Sequence, residues 1–478
     1  MLPVEIEERV LDYLCNDVIT LRACCLACWS WVPRARLHLF KDVKLHSRKS
    51  CLRFLDTLES TSQSDKSPGV GGLVRELRLP AMSLHRAGTR TKVGLRFDLL
   101  YRILRYLPHI EILNTDLFDW GGFMVQLLER SGDSLIAPKI FASVFDFPLL
   151  TTLCLRNIAV RSRAEVSGFV CSFPAVERLV LDSLSTSDSD SALHPLRAFQ
   201  DETRTIRILE LDVNSRFCYD RVARVVLEDL RQAPFELCLE RLKWKSGDPI
   251  DTPASNRSMV PVITDIFHDA ASTLQELDIS LIHEGAGESD MSLHEITMDS
   301  LTVRLIAWLN VADFSQHRSL TSLTIKLHFI LSGPNYWSSL PGVISQLNSP
   351  VLRDLKLCFE IHHGSRWGFL DWPEMARSLV SLHPKCPTVT VTFAFQYRYT
   401  TPEVSVVTEH LKSLMGDAID SGIHIVVLHT SSSETCEWKT SRYPSGGRPS
   451  LCTTYTYKAE RTTYTCLSHG DSSNCIAG

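Results

Sequence analysis

Cysteine is the first residue type in this sequence whose spacing suggests chemistry. Cys25 and Cys28 form a Cys-x-x-Cys pair, and Cys15 and His38 would supply two further ligands of types that bind zinc. Zinc-binding pairs of this spacing usually lie on tight turns beside glycine or polar residues, whereas the neighbours of this pair are mostly apolar and include no glycine. The sequence therefore does not favour a metal site here.

A redox site of the thioredoxin type is the second chemistry that this pair suggests. Such a site needs the pair at the start of a helix that follows a strand, where the helix dipole lowers a thiol pKa. The preceding residues, NDVITLRA, instead predict a loop and a helix capped by Thr20, and Pro33 is expected to end that helix. Four residues at helical spacing predict its packing face: Leu21, Cys25, Cys28 and Val32.

The motifs that carry enzyme chemistry or bind nucleotides are missing from the sequence. We find no G-x-G-x-x-G, no G-x-x-x-x-G-K-[ST], no G-x-S-x-G and no H-E-x-x-H. His362 and His363, with Trp367 and Asp371, form the best remaining polar and aromatic cluster, and we interpret them as a loop. We therefore expect no enzyme activity, no catalytic residue, no cofactor and no metal.

The bulk composition is that of an ordinary globular protein. The chain has 478 residues, of which 44% are hydrophobic and 22% charged, with a formal net charge of -5. These values do not fit a basic nucleic-acid binder or an acidic disordered chain. The length predicts either several domains or one elongated repeat body.

The distribution of apolar residues and cysteines predicts an intracellular protein. The start, MLPVEIEERV, lacks the pattern of a secretory signal, and no apolar run is long enough to span a bilayer. Fifteen scattered cysteines then indicate reduced thiols. We expect a cytoplasmic or nuclear location and no membrane partner.

The first forty residues predict three short helices. Pro3 suits a first helical turn, and Ile6, Val10 and Leu14 repeat every four residues. A third amphipathic segment includes Leu37. Three helices of this size bury too little surface to be stable alone, so we expect them to dock on something.

These residues resemble the F-box motif, especially its fungal form. The match covers LPVEI, a spaced VLDYL and TLRACCLACWSWVPRARLHLFKDVKL, although Ala27 and Trp29 depart from the usual Val and basic residue. The resemblance implies that this segment binds the S-phase-kinase-associated adaptor of cullin-RING ubiquitin ligases, and through it a cullin. The implied contact residues are Leu2, Pro3, Ile6, Leu14, Leu21, Cys28, Trp31, Leu39 and Phe40.

A short pattern, L-x-x-L-x-L, recurs along the rest of the chain. Alternating apolar residues predict a half-buried strand in each copy, and amphipathic helical segments lie between copies. The pattern is similar to the degenerate, ribonuclease-inhibitor-like leucine-rich repeats of fungal F-box proteins, which implies an irregular α/β solenoid. A doubly wound α/β enzyme would also alternate in this way. The copies are 73–79, 150–158, 175–184, 206–213, 273–280, 320–327 and 351–359, with weaker ones at 110–118 and 239–246.

The predicted organisation has four parts. They are an F-box-like domain over 1–45, a linker over 46–72, a leucine-rich-repeat-like substrate-recognition domain over 73–430 and a disordered tail over 431–478. For the tail, a hairpin that brings Cys452 near Cys466 is the alternative. Candidate binding residues on the strands, chosen by alternation alone, are Arg75, Arg178, Glu210 and Lys326.

The sequence as a whole predicts an adaptor without catalytic chemistry of its own. In the favoured hypothesis it is the substrate-recognition subunit of a Skp-cullin-F-box type ubiquitin ligase, and it holds an unidentified protein substrate. The alternatives are a repeat scaffold outside any ligase and an α/β enzyme whose site is not recognised. Nucleic acid is not an expected partner.

Overall fold

A computed structural model describes most of the chain. The described residues are 3–62, 69–79, 97–116, 118, 145–160, 163–186, 205–215, 220–246, 259–281, 308–309, 312–328, 339–361, 370–397, 404–433 and 458–467. The chain divides into two compact units, unit 1 (Met1–Asn214 with Tyr219–Leu237) and unit 2 (Ser215–Cys218 with Cys238–Gly478).

Unit 1 begins with helices and continues as a parallel sheet. Its helices are α1 (Val4–Tyr13), α2 (Val18–Ala27), α3 (Val32–Lys41), α4 (Arg48–Ser62), α5 (Phe97–Leu104), α6 (Arg163–Cys171) and α7 (Asp220–Leu230). Its strands are β1 (Asp42–Lys44), β2 (Glu76–Leu79), β3 (Ile112–Asp116), β4 (Thr152–Arg156), β5 (Ala159–Val160), β6 (Arg178–Asp182), β7 (Ser185–Thr186) and β8 (Ile206–Ser215). The sheet order is β1-β2-β3-β4-β6-β8, and β5 pairs separately with β7.

One row of side chains explains why these strands pair in this register. Residues on successive strands stand opposite one another, and each is buried: Val43, Leu77, Leu113, Leu153, Leu179 and Leu211. Because strand side chains alternate between faces, slipping by one residue would move the apolar row of a strand to the other face. The leucine spacing therefore fixes the register.

Unit 2 repeats the same construction. Most of strand β9 (Phe235–Ser246) belongs to it, followed by β10 (Glu276–Leu281), β11 (Ser322–His328), β12 (Asp354–Ile361), β13 (Thr390–Tyr397), β14 (His424–Ser433) and β15 (Lys458–Leu467). Its helices are α8 (Val260–Asp269), α9 (Ser339–Gln346), α10 (Trp372–Leu382), α11 (Val404–Leu414) and α12 (Gly416–Asp420). Strands β9 to β14 are parallel neighbours in chain order, and β15 is antiparallel to β14. Their buried row is Leu242, Leu277, Leu323, Leu355, Val391 and Ile425.

The strand order distinguishes between two predicted architectures. A doubly wound sheet reverses its strand order at a switch point, where ligands bind. Within each unit the described strands instead follow chain order without a reversal. The fold is therefore mixed α/β with an open parallel sheet, and its strand order is consistent with a solenoid-like arrangement.

The strand predictions are confirmed at every copy of the leucine pattern. The main copies correspond to β2, β4, β6, β8, β10, β11 and β12, and the weaker copies to β3 and β9. In the predicted linker, 48–62 forms α4, whose side chains Cys51, Phe54, Leu55 and Leu58 are buried. This part of the chain is therefore packed rather than a flexible connection.

Three local predictions are wrong. Helix α2 is capped by Asp17 rather than Thr20, and it ends at Ala27, before Pro33. Pro33 instead lies in the first turn of α3, where a missing N–H costs no helical hydrogen bond. In the tail predicted to be disordered, Lys458–Leu467 forms β15, which pairs with β14. The first half of the alternative hairpin lies outside the described residues. Cys452, Asn256, His362, His363 and Trp367 lie outside the described residues.

Among the described residues, we find no helix with the length and apolar character that crossing a bilayer requires.

Candidate functional site

Helices α1 to α3 pack around a small apolar core. Four side chains are buried there, and four more are partly buried against them. The buried set is Leu11, Leu21, Cys24 and Ala35, and the partly buried set is Leu14, Cys25, Trp31 and Leu39. A core this small leaves much of the apolar content of these helices without cover.

Asp12 on α1 ties α1 to α3 through charged hydrogen bonds. Arg34 donates from Nε to Asp12 Oδ1 and from Nη2 to Oδ2, both at 2.7 Å, and His38 Nε2 lies 2.8 Å from Oδ1. The hydrogen bonds from Arg34, and then from His38, lower the pKa of Asp12 to about 2. The ionised Asp12 therefore stabilises the folded state. This stabilisation is present at pH values above the ordinary Asp pKa of 3.8 and is lost as the pH falls toward about 2.

Two further polar contacts fix the helix ends. The Asp17 carboxylate accepts hydrogen bonds from the Thr20 hydroxyl at 2.6 Å and from the Thr20 N–H at 3.0 Å, and the second bond caps α2. The hydroxyl bond, and then the N–H bond, lower the pKa of Asp17. Trp31 Nε1 donates to Glu7 Oε2 at 2.9 Å, which links α1 to the turn Trp29–Trp31 between α2 and α3. These contacts hold α1, α2 and α3 in one arrangement.

The cysteines of this region are not assembled as a metal site. Cys28 Sγ lies 3.0 Å from Ser30 Oγ, and this hydrogen bond lowers the pKa of Cys28. Burial raises the pKa of Cys25, and His38 is paired with Asp12. Over the whole described part of the chain, no three His, Cys, Asp or Glu residues come together as a metal would require.

The outward side of α1 and α2 exposes large apolar side chains. Of the twelve exposed large hydrophobic residues in the described part of the chain, eight lie before residue 30. We name these eight the N-terminal apolar surface: Val4 (62% exposed), Ile6 (44%), Val10 (50%), Tyr13 (82%), Val18 (47%), Ile19 (82%), Leu26 (90%) and Trp29 (90%). Such concentration in one short segment is unusual for a surface that faces only water.

Helix geometry explains why these residues are exposed. Ile6, Val10 and Tyr13 are spaced by four and three residues, so they share one face of α1, while Leu11 points into the core. On α2, Ile19 and Leu26 are seven residues apart and likewise share a face, away from Leu21. Each helix therefore has one apolar face inside the unit and another outside it.

The predicted contact residues fall into different environments. Pro3 and Ile6 are exposed, and Cys28 and Phe40 are partly exposed. Leu21 is fully buried, so it serves the packing of the helices rather than a surface. Leu2 lies outside the described residues. Three are partly buried against the core: Leu14, Trp31 and Leu39.

Sequence reasoning missed most of the N-terminal apolar surface. Val10, Tyr13, Ile19 and Leu26 were not among the predicted contacts, although the spacing of Val10 from Ile6 and Leu14 was part of the helix prediction. The signal that could have revealed these residues is a second apolar stripe on each helix. An amphipathic helix that packs against a protein core on just one side has a polar opposite face.

The candidate residues on the strands are largely engaged in ion pairs. Arg178 Nε lies 3.4 Å from Glu210 Oε2, Arg75 Nε lies 3.4 Å from Glu111 Oε1, and Lys326 Nζ lies 2.8 Å from Asp278 Oδ2. These pairs connect neighbouring strands and are partly exposed, so each contributes little to stability.

A scan against protein-family models and a search of curated proteins both found no match to this chain.

Proposed function

We propose that this chain is the substrate-recognition subunit of a cullin-RING ubiquitin ligase. In this proposal α1 to α3 form an F-box-like unit that binds the S-phase-kinase-associated adaptor. The strand and helix repeats are leucine-rich repeats that hold a protein substrate. The chain supplies proximity rather than chemistry, since holding a substrate lysine near a charged conjugating enzyme raises its effective concentration.

The observation that carries the proposal is the N-terminal apolar surface. Leaving Ile19, Leu26 and Trp29 more than four-fifths exposed forgoes the stabilisation that burial of large apolar side chains provides. Helices that present such anchors commonly bind in a groove of a partner, with tryptophan and leucine among the main contributors to affinity. A partner protein that covers α1 and α2 supplies the missing burial.

Co-purification of the adaptor and the cullin with the full chain tests this proposal. We expect Ile19→Asp with Leu26→Asp to reduce adaptor recovery at least about tenfold, because two buried charges in an apolar interface cost several kcal/mol. Both positions are highly exposed, so the three helices should still fold. Trp31 is a poorer choice, because it packs against the core of α1 to α3.

The matched control is Val351→Asp with Val406→Asp, which also places two carboxylates at exposed apolar positions. This control should retain the adaptor. If the two double variants recovered equal amounts of adaptor, the ligase proposal would be rejected. Recovery of the adaptor without any cullin would favour a scaffold outside the ligase.

A further inference from the structure

The end of helix α2 carries two thiols about one helical turn apart. Cys25 lies in the last turn of α2, and Cys28 is the C-cap residue that follows the helix. The Cys28 N–H donates to the Cys24 carbonyl at 3.3 Å, so the backbone keeps its helical course up to Cys28. In an α-helix, Cα atoms three residues apart are separated by about 5 Å. Disulfides join cysteines whose Cα atoms are about 4.4 to 6.8 Å apart, so this pair has the required spacing.

The two thiols have different environments. Cys25 packs against the core of α1 to α3, and burial raises its pKa. Cys28 is partly exposed, and its Sγ lies 3.0 Å from Ser30 Oγ. Hydrogen bonds with the side chain and then the backbone of Ser30 lower the pKa of Cys28, while desolvation and the charge of Glu7 act in the opposite direction. Because the thiolate is the reactive form of cysteine, Cys28 is the better nucleophile of the pair.

Two other cysteines lie nearby in the sequence, and both are poorer partners for Cys28. Cys24 is 9% exposed and belongs to the buried core of α1 to α3, so drawing it into a bond would disturb that core. Cys15 precedes α2, and the length of this helix, roughly 15 Å, separates it from Cys28. Cys25 is therefore the thiol that Cys28 reaches most readily.

These two cysteines lie within the segment that forms the N-terminal apolar surface. Leu26 stands between them and Trp29 directly follows the second, and each of these side chains is 90% exposed. To reach the other thiol, Cys28 Sγ must leave Ser30 Oγ, which also lies 3.4 Å from Glu7 Oε2 of α1. A disulfide here therefore changes the turn from which Trp29 projects.

We propose that Cys25 and Cys28 form a reversible disulfide that weakens binding of the adaptor to the N-terminal apolar surface. This inference rests on the proposed function and adds to it a means of regulation. The oxidant is a hydroperoxide, of which hydrogen peroxide is the simplest.

The oxidation proceeds in two balanced steps. The Cys28 thiolate attacks one oxygen of the peroxide, the O–O bond breaks and hydroxide leaves, which gives a sulfenic acid on Cys28. The sulfur of Cys25 then attacks the sulfur of Cys28, the S–O bond breaks and water leaves with the proton of Cys25. Two thiols thus lose two electrons and two protons, and one peroxide becomes two waters.

Mass spectrometry of the purified full chain tests whether the bond forms. The protein is treated with hydrogen peroxide, the remaining thiols are blocked with N-ethylmaleimide, and the chain is digested with trypsin. Residues 23–34 leave as one peptide that holds three cysteines, because an arginine precedes it and another ends it. We expect this peptide to carry one blocked thiol and an internal disulfide. The disulfide should disappear in Cys25→Ala and in Cys28→Ser, and it should persist in Cys24→Ala.

Adaptor binding before and after oxidation tests the regulation. We expect peroxide to weaken adaptor binding by the wild type at least about tenfold, because a displaced tryptophan anchor loses its contacts, and dithiothreitol to restore it. Cys25→Ala should lose this response to peroxide. Cys15→Ser is the control, because it removes an exposed thiol outside α2, and it should respond as the wild type does.

The outcomes separate this inference from the proposed function. Absence of the disulfide from peptide 23–34, or equal adaptor affinity of the oxidised and reduced wild type, would overturn the inference while leaving the ligase proposal in place. If the reduced chain did not bind the adaptor at all, the proposed function would be rejected, and the regulatory role with it.

Discussion

At the scale of single residues, His317 is an ionisable side chain inside an apolar cluster of unit 2. It is 1% exposed, stacks on Phe267 with ring centroids 3.7 Å apart, and neither ring nitrogen has a hydrogen-bond partner among the described residues. Burial, and secondarily the charge of His268, lowers the pKa of His317 to about 4, while Asp313 acts in the opposite direction. His317 is therefore neutral at pH 7.

This burial predicts a loss of stability in mild acid. Because the folded pKa lies below the ordinary value of 6.5, the stability linked to neutral His317 is complete above pH 6.5 and is lost as the pH falls to about 4. The difference between the ordinary and the folded pKa of His317 corresponds to roughly 3 kcal/mol of unfolding free energy. Urea titrations of wild type and His317→Leu at pH 7 and pH 4.5 measure it.

We expect the wild type to lose more unfolding free energy than His317→Leu between these two pH values. His429 is also buried, with a pKa lowered to about 4 by burial, so the variant should keep part of the dependence. An identical pH dependence in both proteins would mean that His317 is not buried in the neutral form.

Asp371 shows how a residue of a suspected site can have a structural role. Its carboxylate accepts a hydrogen bond from the Glu374 N–H at 2.9 Å and caps helix α10. We expect Asp371→Ala to lower the unfolding free energy by about 1 kcal/mol, because that amide loses its partner. Asp371→Ser should restore most of the loss. Chemical denaturation measures both variants, and a loss that serine does not reduce would argue against capping.

The sequence shows that α1 is amphipathic but not which stripe faces inward. Ile6 and Val10 form one apolar stripe, and Leu11 and Leu14 form another. Repeats of exactly four residues rotate slowly around a helix, so the predicted set of Ile6, Val10 and Leu14 mixes the two stripes. The packing of α1 against α2 and α3 decides the inner face, and the pairing of Asp12 with Arg34 is one of the contacts that hold this arrangement.

At the scale of elements, leucine spacing predicts some strands and not others. The copies of L-x-x-L-x-L became strands because their leucines fill the buried rows. Strands β13 and β14 fill the same rows with Val391, Phe393, Ile425 and Val427, so a pattern based on leucine missed them. The strict alternation of buried residues along β13 would have revealed it.

Strand β15 is the element whose role is least evident from sequence. Its residues are mostly polar, and they pair with β14, which would otherwise present an unpaired edge. We expect Tyr464→Pro with Thr465→Pro to break this pairing, because proline lacks an N–H donor and restricts the backbone. Hydrogen exchange of the β14 amides should become at least about tenfold faster.

Ser472→Pro with Ser473→Pro is the control for this change, because β15 ends at Leu467. It should leave exchange in β14 unchanged. Unchanged hydrogen exchange of the β14 amides after substitution within β15 would mean that β14 does not depend on this partner. We also expect self-association with the β15 variant and not with the control.

At the scale of the whole molecule, the sequence predicts a repeating α/β architecture, but it does not show that the chain divides into two compact units. The change from β8 to β9 continues the same alternation of strand and helix, so no shift in composition marks the boundary between unit 1 and unit 2. Helix α4 lies where the sequence has an amphipathic segment, but the polar residues that follow it led us to assign 46–72 as a linker. Burial of Phe54 and Leu55 depends on contacts distant in sequence, which a local pattern does not contain.

The most direct test of the account measures which side chains a partner covers. Hydroxyl-radical footprinting of the full chain, with and without purified adaptor, reports the solvent exposure of individual side chains. We expect oxidation of Tyr13, Leu26 and Trp29 to fall several-fold when the adaptor is added, while Leu52 and Val406 stay equally reactive. Unchanged oxidation of Tyr13, Leu26 and Trp29 in the presence of saturating adaptor would contradict the account.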